Sequence, residues 1–199
     1  MTSWLPLPVM ESLVKHIESF IPVSEQLNER LREIAQRQVL VKGTFLHQPG
    51  KICSHTYFIV KGLVRTYYQK DEKEITDNFA AEGEWITSVQ SFMKNVPDYF
   101  YIQTLEDSEL LSIQLQQLEQ CFSDFPEMER FGRMLLSHYF MEQSERIIAL
   151  QFQSSKERYS YFAKSAPHKL VRVPLGMLAS YLGMTPETLS RVRAADRTF

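Results

Sequence analysis

The side chains whose types and spacing best predict a chemistry lie in residues 175–193. This segment predicts two short helices that meet at Gly183, where a glycine permits the positive φ of a tight turn. A small Ala179 lets the helices cross closely, and Thr185 followed by Pro186 is an N-cap with a first-turn proline. The apolar positions fall on facing sides of the two helices: Leu178, Ala179, Leu182, Leu189 and Val192. An ordinary pair of core helices needs this apolar spacing but not the other features, so the segment predicts a helix-turn-helix that binds DNA.

Positive charge is concentrated in the same part of the chain. The whole chain carries a net charge of −2, but residues 156–199 hold eight Lys and Arg and three acidic residues, so this segment is +5 and the rest is −7. A basic module around a helix-turn-helix supplies the charge that neutralises DNA phosphates. The alternative, that these side chains only solvate a helix surface, stays open for four of them: Lys156, Arg158, Lys164 and Lys169.

Helical and β patterns divide the preceding residues. Residues 9–20 and the segment after Ser24 show the apolar spacing of two amphipathic helices. From Val39 to Ile113 short β-rich runs alternate with turn signals, at the spacing of a compact antiparallel barrel or jelly roll. We therefore expect a β-roll sensor domain with N-terminal helices over residues 1–125.

A long helix is predicted to follow, and we assign residues 126–152 to it. One side of this helix is partly apolar and partly polar, with Met128, Phe131, Leu135, His138, Met141 or Glu142, Glu145 and Ile148. This face suits a dimer seam, but packing on the chain's own β-domain fits the aromatic and Met content nearly as well. We favour a homodimer through the 126–152 helix because helix-turn-helix proteins usually bind two half-sites.

Residues 153–199 form the predicted DNA-binding domain. Ser154 and Glu157 make a capping box that opens a helix over Ser155–Lys164. Residues 168–173 are β-branched and basic, which predicts a small strand as in winged helix-turn-helix domains. The few residues after the second helix of the motif are too short for a β-hairpin wing, so we expect a truncated wing.

Composition argues against several other classes of protein. No apolar run is long enough for a membrane span, and residues 1–10 lack the features of a secretory signal, which predicts a cytoplasmic protein with no membrane partner. Cys53 and Cys121 lie far apart, so we expect two free, buried thiols and no zinc or iron-sulfur site. Because no nucleophile elbow, P-loop, dinucleotide fingerprint, HExxH motif or histidine cluster occurs, we expect neither an enzyme nor a metal site.

Taken in order, these elements resemble the Crp/Fnr family of bacterial transcription regulators. The residues that carry the resemblance are LASYLGMTPETLSRVR at positions 178–193, FIVKGLVRTYY at positions 58–68, and Gly43, Gly50, Gly62 and Gly83. The resemblance implies an α+β fold with an N-terminal antiparallel β-roll of the cyclic-nucleotide-binding type, flanking helices, a long dimerisation helix and a C-terminal helix-turn-helix domain. It also implies a sequence-specific transcriptional regulator that binds double-stranded DNA and contacts RNA polymerase.

The resemblance assigns base reading to a Glu early in the second helix and an Arg four residues later, here Glu187 and Arg191. A guanidinium can bind guanine with two hydrogen bonds, a carboxylate can accept one from cytosine, and the i,i+4 spacing places both on one face. The alternative is a surface ion pair between the two. Pro186 stands where the family often has a basic residue, so one base contact is expected to be absent. Candidates for phosphate or flanking contacts are Thr185, Thr188, Ser190 and Arg193.

The sensor half departs from the members of the family that bind cyclic nucleotides. Their ribose-binding Gly-Glu pair falls on Thr87-Ser88 here, and their phosphate-binding Arg-Ser pair falls on Asp98-Tyr99. An aspartate repels a phosphate, and the sequence has no Arg between Arg65 and Arg130 to replace the missing one. We therefore expect no tight binding of cyclic AMP or cyclic GMP and identify no cofactor.

Whether the β-roll binds another small-molecule effector stays open. A pocket for it is predicted from Trp85, Thr87, Ser88, Tyr99 and Tyr101, although aromatic side chains at alternating strand positions more often fill the core. His47 and His55 are expected to be polar surface groups rather than metal or haem ligands. The competing function is a small-molecule-binding sensor whose C-terminal helical module mediates protein interactions, and it predicts no salt-dependent DNA affinity.

Overall fold

The computed structural model describes residues 7–196, which form a β-roll with flanking helices, one long helix and a C-terminal helical head over residues 155–196. Across these residues no helix is long and apolar enough to cross a lipid bilayer. Residues 1–6 and 197–199 lie outside the described range. The truncated wing is expected at residues 197–199, so this prediction also lies outside the described residues.

Eight strands make up the β-roll within residues 7–196. They are β1 (Gln36–Leu40), β2 (Phe45–His47), β3 (His55–Lys61), β4 (Val64–Lys70), β5 (Lys73–Ala80), β6 (Trp85–Ile86), β7 (Phe100–Thr104) and β8 (Ser108–Gln114). They form two four-stranded antiparallel sheets with the orders β1-β8-β3-β6 and β2-β7-β4-β5. Since most neighbours in each sheet are far apart in the chain, the connections cross between sheets as in a jelly roll, and the predicted antiparallel β-roll is confirmed.

Side chains that point between the two sheets form the inner core of the β-roll. They are Cys53, Tyr57, Ile59, Val64, Ala80, Ile86, Ile102 and Leu110. Cys53 belongs to this core, and Cys121 is buried under the N-terminal helices. Both thiols are free and buried, as predicted.

Four helices flank the β-roll: α1 (Leu7–Glu18), α2 (Glu25–Ile34), α3 (Val89–Lys94) and α4 (Leu115–Asp124). The predicted N-cap is present, because the Ser24 hydroxyl accepts the N–H of Leu27 at 3.2 Å. The apolar faces of α1, α2 and α4 pack on the outer face of the sheet that contains β3. Side chains alternate along a strand, so Phe58 joins this outer cluster while Tyr57 and Ile59 point between the sheets.

The long helix, α5, spans Pro126–Phe152. Met128 and Phe131 of the predicted dimer seam are buried against α1 and α2, with 1% and 3% of their surface exposed. For these two residues the dimer-seam interpretation is wrong, because they pack on the β-domain of their own chain. The exposed apolar residues of α5 lie further along the helix: Leu136, Phe140, Met141, Ile147, Ile148, Leu150 and Phe152.

The head contains α6 (Ser155–Ser165), α7 (Pro167–Leu170), α8 (Leu175–Tyr181) and α9 (Pro186–Asp196). The predicted capping box of Ser154 and Glu157 opens α6. The strand predicted over residues 168–173 is wrong, because α7 covers the start of this segment. Pro167 begins the helical turn, and the N–H of Val173 donates to the carbonyl of Lys169 at 2.9 Å, which continues it. The apolar residues of the segment instead supply the core of the head, where Val173 is 6% exposed.

The apolar core of the head continues into the β-roll. Leu178, Ala179, Leu182 and Leu189 share one buried cluster with the β-roll residues Leu63, Phe79, Ala81 and Leu105. The rings of Phe79 and Tyr181 are 5.4 Å apart across this contact. The head is therefore packed on the β-roll of its own chain.

Candidate nucleic-acid interface

The turn between α8 and α9 has the geometry that the sequence predicts. Gly183 has a φ of +63°, which strains a residue that carries a Cβ. Its N–H donates to the carbonyl of Ser180 at 3.1 Å, and the N–H of Met184 donates to that of Ala179 at 3.0 Å. Ala179 is fully buried in the core that α8 and α9 share. The small residue and the glycine thus stand where a close crossing and a tight turn need them.

Thr185 is the N-cap of α9. Its hydroxyl accepts the N–H of Thr188 at 3.2 Å, and its carbonyl accepts the N–H of Leu189 at 3.0 Å. Pro186 takes the first helical position, where a missing N–H leaves no hydrogen bond unmade. These contacts fix the first turn of α9, and this helix carries five of the six residues predicted to touch DNA.

Three of those residues, Glu187, Ser190 and Arg191, are exposed along α9. Hydrogen bonds from its own backbone N–H and from the Thr185 hydroxyl, with a further contribution from the charge of Arg191, lower the pKa of Glu187. The guanidinium of Arg191 donates to the hydroxyl of Thr188 at 3.4 Å. In the part of the chain that the structure describes it forms no ion pair with Glu187 within 4.0 Å, so both charged groups face solvent.

Arg193 has a different environment from the other five predicted DNA-binding residues. It is half-buried, and its guanidinium donates to the carbonyl of Leu170 at 3.4 Å. This bond joins α9 to α7 and leaves only part of the side chain accessible.

Arg158 is a residue whose position the sequence does not reveal. Its guanidinium donates to the carbonyls of Leu182 at 2.7 Å, Gly183 at 3.2 Å and Gln153 at 2.5 Å. It therefore joins the end of α5 to the helix-turn-helix turn and satisfies carbonyls at the end of α8. In the sequence, the position of Arg158 in its helix resembles that of any surface cation, so no signal in the sequence identifies this role.

Two further cations of the basic segment face the β-roll. Lys169 donates to a carboxylate oxygen of Glu84 at 2.6 Å and to the carbonyl of Phe79 at 2.9 Å. Arg172 pairs with Glu82 and Glu106, each at 2.7 Å. A part of the positive charge counted toward the DNA footprint therefore neutralises the acidic β-roll.

The residues predicted to line an effector pocket belong to different packing groups. Trp85 is buried on the outer face of the β-roll, with its ring 5.2 Å from that of Phe58. Tyr101 stacks on Tyr67 at 4.8 Å, whereas Tyr99 is 57% exposed. The hydroxyl of Thr87 donates to the main chain at 3.0 Å. The structure does not bring Trp85 together with the tyrosines.

Ser88, the fifth of these residues, contacts a buried pair of side chains at the position of the expected phosphate clamp. The side chains of His47 and Asp98 are each 2% exposed, and their Nε2 and Oδ1 atoms are 2.8 Å apart. The Ser88 hydroxyl donates to the other carboxylate oxygen, and the N–H of Phe100 donates to Oδ1 at 3.0 Å. The expectation that His47 is a surface group is therefore wrong. Because an internal carboxylate already takes the local donors, these residues do not fit the phosphate of a cyclic nucleotide.

Comparison with known proteins agrees with this architecture. Residues 37–125 match the cyclic nucleotide-binding domain family. An anaerobic regulatory protein of Pasteurella multocida is 26% identical over 184 residues, which cover 85% of this chain and 66% of that protein. The transcriptional activator protein anr of Pseudomonas aeruginosa is 24% identical over 178 residues, which cover 82% of this chain and 72% of that protein. The chain is therefore similar along most of its length to bacterial regulatory proteins, in agreement with its resemblance to the Crp/Fnr family.

Among solved structures, the fold of the chain is similar to that of FixK2 from Bradyrhizobium japonicum. The TM-score is 0.74 at 16% identity, over 83% of this chain and 85% of that one. At this identity the likeness shows the fold alone. The matched cyclic nucleotide-binding domain ends at residue 125, whereas the curated relatives also cover most of the rest of this chain. The chain spans about two thirds of the length of the Pasteurella relative.

Proposed function

We propose that the chain is a sequence-specific DNA-binding transcriptional regulator, in which α9 lies in the major groove and reads base edges. The observation that carries this proposal is the pair Glu187 and Arg191, exposed on a helix whose first turn is capped by Thr185. One helical turn separates the two side chains, so both reach the same groove. The relatives named as transcriptional and anaerobic regulators support the same function.

In this reading each polar group of α9 has a distinct task. Arg191 binds guanine through O6 and N7, and the ionised Glu187 accepts from the amino group of cytosine. The hydroxyls of Thr185, Thr188 and Ser190 contact phosphates or flanking atoms, which fixes the register of α9 on the duplex without reading sequence. Arg193 adds a phosphate contact with the part of its side chain that the bond to Leu170 leaves accessible.

The exposed face of α5 supports a homodimer. Leu136, Phe140, Gln143, Ile147 and Leu150 follow one another at spacings of four and three residues, which is the a/d pattern of a two-stranded coiled coil. Phe140 is 74% exposed and Ile147 is 53% exposed in the single chain. A second copy that covers this seam would present two α9 helices to two half-sites about one DNA turn apart.

We propose further that the β-roll takes no cyclic nucleotide as its effector. The support is the buried Asp98 carboxylate, which is hydrogen-bonded to His47 and also accepts from the Ser88 hydroxyl and the Phe100 N–H. A phosphate at this point would meet a buried carboxylate, whose charge opposes its own. By analogy with the family, we expect the protein to act in the cytoplasm and to contact RNA polymerase.

The proposal is tested by selecting binding sites from a random double-stranded DNA library with the purified full chain and no added ligand. We expect an enriched two-fold palindrome with half-sites about one turn apart. Recovery of random sequences only, with no salt-dependent affinity, would reject the proposal and favour a sensor whose helical module binds protein. An asymmetric single site would retain the DNA-reading head but reject the dimer.

A further inference from the structure

The side chain of Arg172 joins the head to two separate loops of the β-roll. Its Nη1 and Nη2 atoms donate to the carboxylate of Glu82 at 2.7 and 3.0 Å. Its Nε and Nη2 atoms donate to Glu106 at 3.1 and 2.7 Å. Glu82 lies between β5 and β6, and Glu106 lies between β7 and β8. A planar guanidinium held by two carboxylates from different loops is fixed in orientation, which a single ion pair does not achieve.

Glu82 is ionised throughout the neutral range. Partial burial disfavours its charge, but hydrogen bonds from Arg172 and from the N–H of Gly62 outweigh this effect and lower its pKa to about 2. The backbone bond from Gly62, at 2.8 Å, also fixes the carboxylate to the β-roll. The acceptor of Arg172 is therefore charged in the docked state, and the bond from Gly62 ties it to the β-roll.

A second, independent contact joins α8 to the edge of a sheet. The strand β5 is the last in the order β2-β7-β4-β5, so its outer backbone groups have no neighbouring strand in that sheet. The N–H of Thr76 donates to the hydroxyl of Ser180 at 2.9 Å, and that hydroxyl donates to the carbonyl of Glu74 at 3.1 Å. Arg146 donates to the carbonyl of Thr76 at 3.3 Å. The head thus covers an edge strand whose outer backbone groups would otherwise form hydrogen bonds with water.

The docked head leaves its DNA-reading side open. Glu187 and Arg191 are exposed, and so are Leu175 and Gly176 at the start of α8. In helix-turn-helix proteins the second helix enters the groove and the first crosses the backbone, so these are the parts that approach DNA. Since the contacts with the β-roll lie elsewhere on the head, DNA binding does not require their release.

We propose that Arg172 is a positioning residue, whose contacts with Glu82 and Glu106 hold the head on the β-roll in the orientation that presents α9 to DNA. This inference rests on the proposed function. In a dimer the spacing of the half-sites is set by the DNA, so both α9 helices must already be placed correctly for the second head to bind readily. A head fixed before binding needs less ordering when it binds, and the two heads then act together.

The test removes the two carboxylates with E82Q/E106Q in the full-length protein. Loss of two negative charges by itself strengthens DNA binding, because it weakens repulsion of phosphates. Loss of the positioning contact has the opposite effect on a palindrome that engages both heads. We expect affinity for the selected palindrome to fall about tenfold relative to affinity for a single half-site. The variant should also bind palindromes with altered spacing nearly as well as the selected one, because its heads are less constrained.

The matched control is E72Q/E119Q, which removes the same charge from two exposed side chains outside the contact. We expect it to leave the ratio of palindrome to half-site affinity unchanged. A merely unfolded fraction lowers both affinities equally, so this ratio separates positioning from stability. Hydrogen exchange at the Thr76 amide adds a direct readout, and in the wild-type protein we expect it to stay protected when DNA is bound.

Three outcomes overturn the inference. These are a ratio in E82Q/E106Q equal to that of the control, a palindrome affinity above that of the control, or loss of Thr76 protection when DNA binds. The last two would mean that the head leaves the β-roll in order to bind. Recovery of no preferred sequence by the wild-type protein would instead reject the proposed function and this inference together, whereas an asymmetric single site would reject the inference and the dimer but keep DNA reading.

Discussion

The head and the β-roll place their charged groups in opposite ways. Glu187 and Arg191 of the head are exposed on one short helix, and their spacing in the chain is sufficient to relate them. His47 and Asp98 of the β-roll are buried, come from points far apart in the chain, and satisfy each other. Exposed groups remain available for a partner, whereas a buried, satisfied pair holds its own structure together. The comparison therefore predicts that DNA reading and stability depend on different residues.

The largest effect on stability is expected for His47→Ala. This change removes one hydrogen-bond partner of the buried Asp98 carboxylate, which typically costs about 1 to 3 kcal/mol of folding free energy. Urea unfolding followed by circular dichroism measures the loss. Because α9 is untouched, the base preferences of the folded protein should not change.

His55→Ala is the control for this prediction, since His55 lies in the same β-roll but is only half-buried and has no carboxylate partner among its described contacts. We expect it to lower the unfolding free energy by about 1 kcal/mol or less. Equal losses in the two variants would contradict the view that the buried pair stabilises the β-roll.

The next largest effect is expected for Phe140→Glu, which places a charge in the seam proposed along α5 between Leu136 and Leu150. Disruption of the dimer removes the gain from binding two half-sites, so palindrome affinity should fall about 100-fold or more. Sedimentation equilibrium should show monomers, while affinity for a single half-site stays close to that of the wild type.

Met141→Glu is the matched change, since Met141 is also exposed but lies outside the proposed seam, although it belongs to the face predicted from the sequence. A dimer that survives in Phe140→Glu, or that is lost equally in both variants, would show that α5 associates through a different face or not at all.

A smaller and more specific effect is expected for Glu187→Gln. An amide pairs best with adenine, whereas a carboxylate accepts from cytosine, so one base pair in each half-site should change its preferred identity. A single mismatched pair costs about 1 to 3 kcal/mol, which a repeated library selection detects. An unchanged preferred sequence would remove Glu187 from the reading surface.

The smallest effect is expected for added cyclic AMP. A ligand present at 100 times its Kd would stabilise the protein by about 2.7 kcal/mol and raise the melting temperature. We expect no shift, because Asp98 already takes the donors at the expected phosphate position. A dose-dependent shift, with a cyclic-nucleotide-binding domain as positive control, would show that the pocket opens to ligand.

The sequence predicts the fold and the geometry of the turn between α8 and α9 because both rest on local chemistry. Gly183, Thr185 and Pro186 specify a turn and a cap within a few residues, and alternating runs specify the strands. The structure differs where distant parts of the chain meet. The strand predicted over residues 168–173 is replaced by helical turns and buried contacts of the head.

The charged residues of the β-roll interface show the same limit. Arg172 and Arg158 resemble ordinary surface cations in the sequence. In the structure, Arg172 pairs with Glu82, and Arg158 donates to a carbonyl at the end of α8. His47 is surrounded by turn residues in the chain, but the pairing of β2 with β7 brings it close to Asp98. Pairings of this kind depend on sheet order, which periodicity does not specify.

The most direct test of the central claim is the affinity of Arg191→Ala for the selected palindrome and for a random duplex at one salt concentration. We expect a loss of about 1 to 3 kcal/mol on the palindrome and little change on random DNA, because Arg191 contributes mainly base contacts. Equal losses on both would reduce Arg191 to a phosphate contact and contradict the claim that α9 reads sequence.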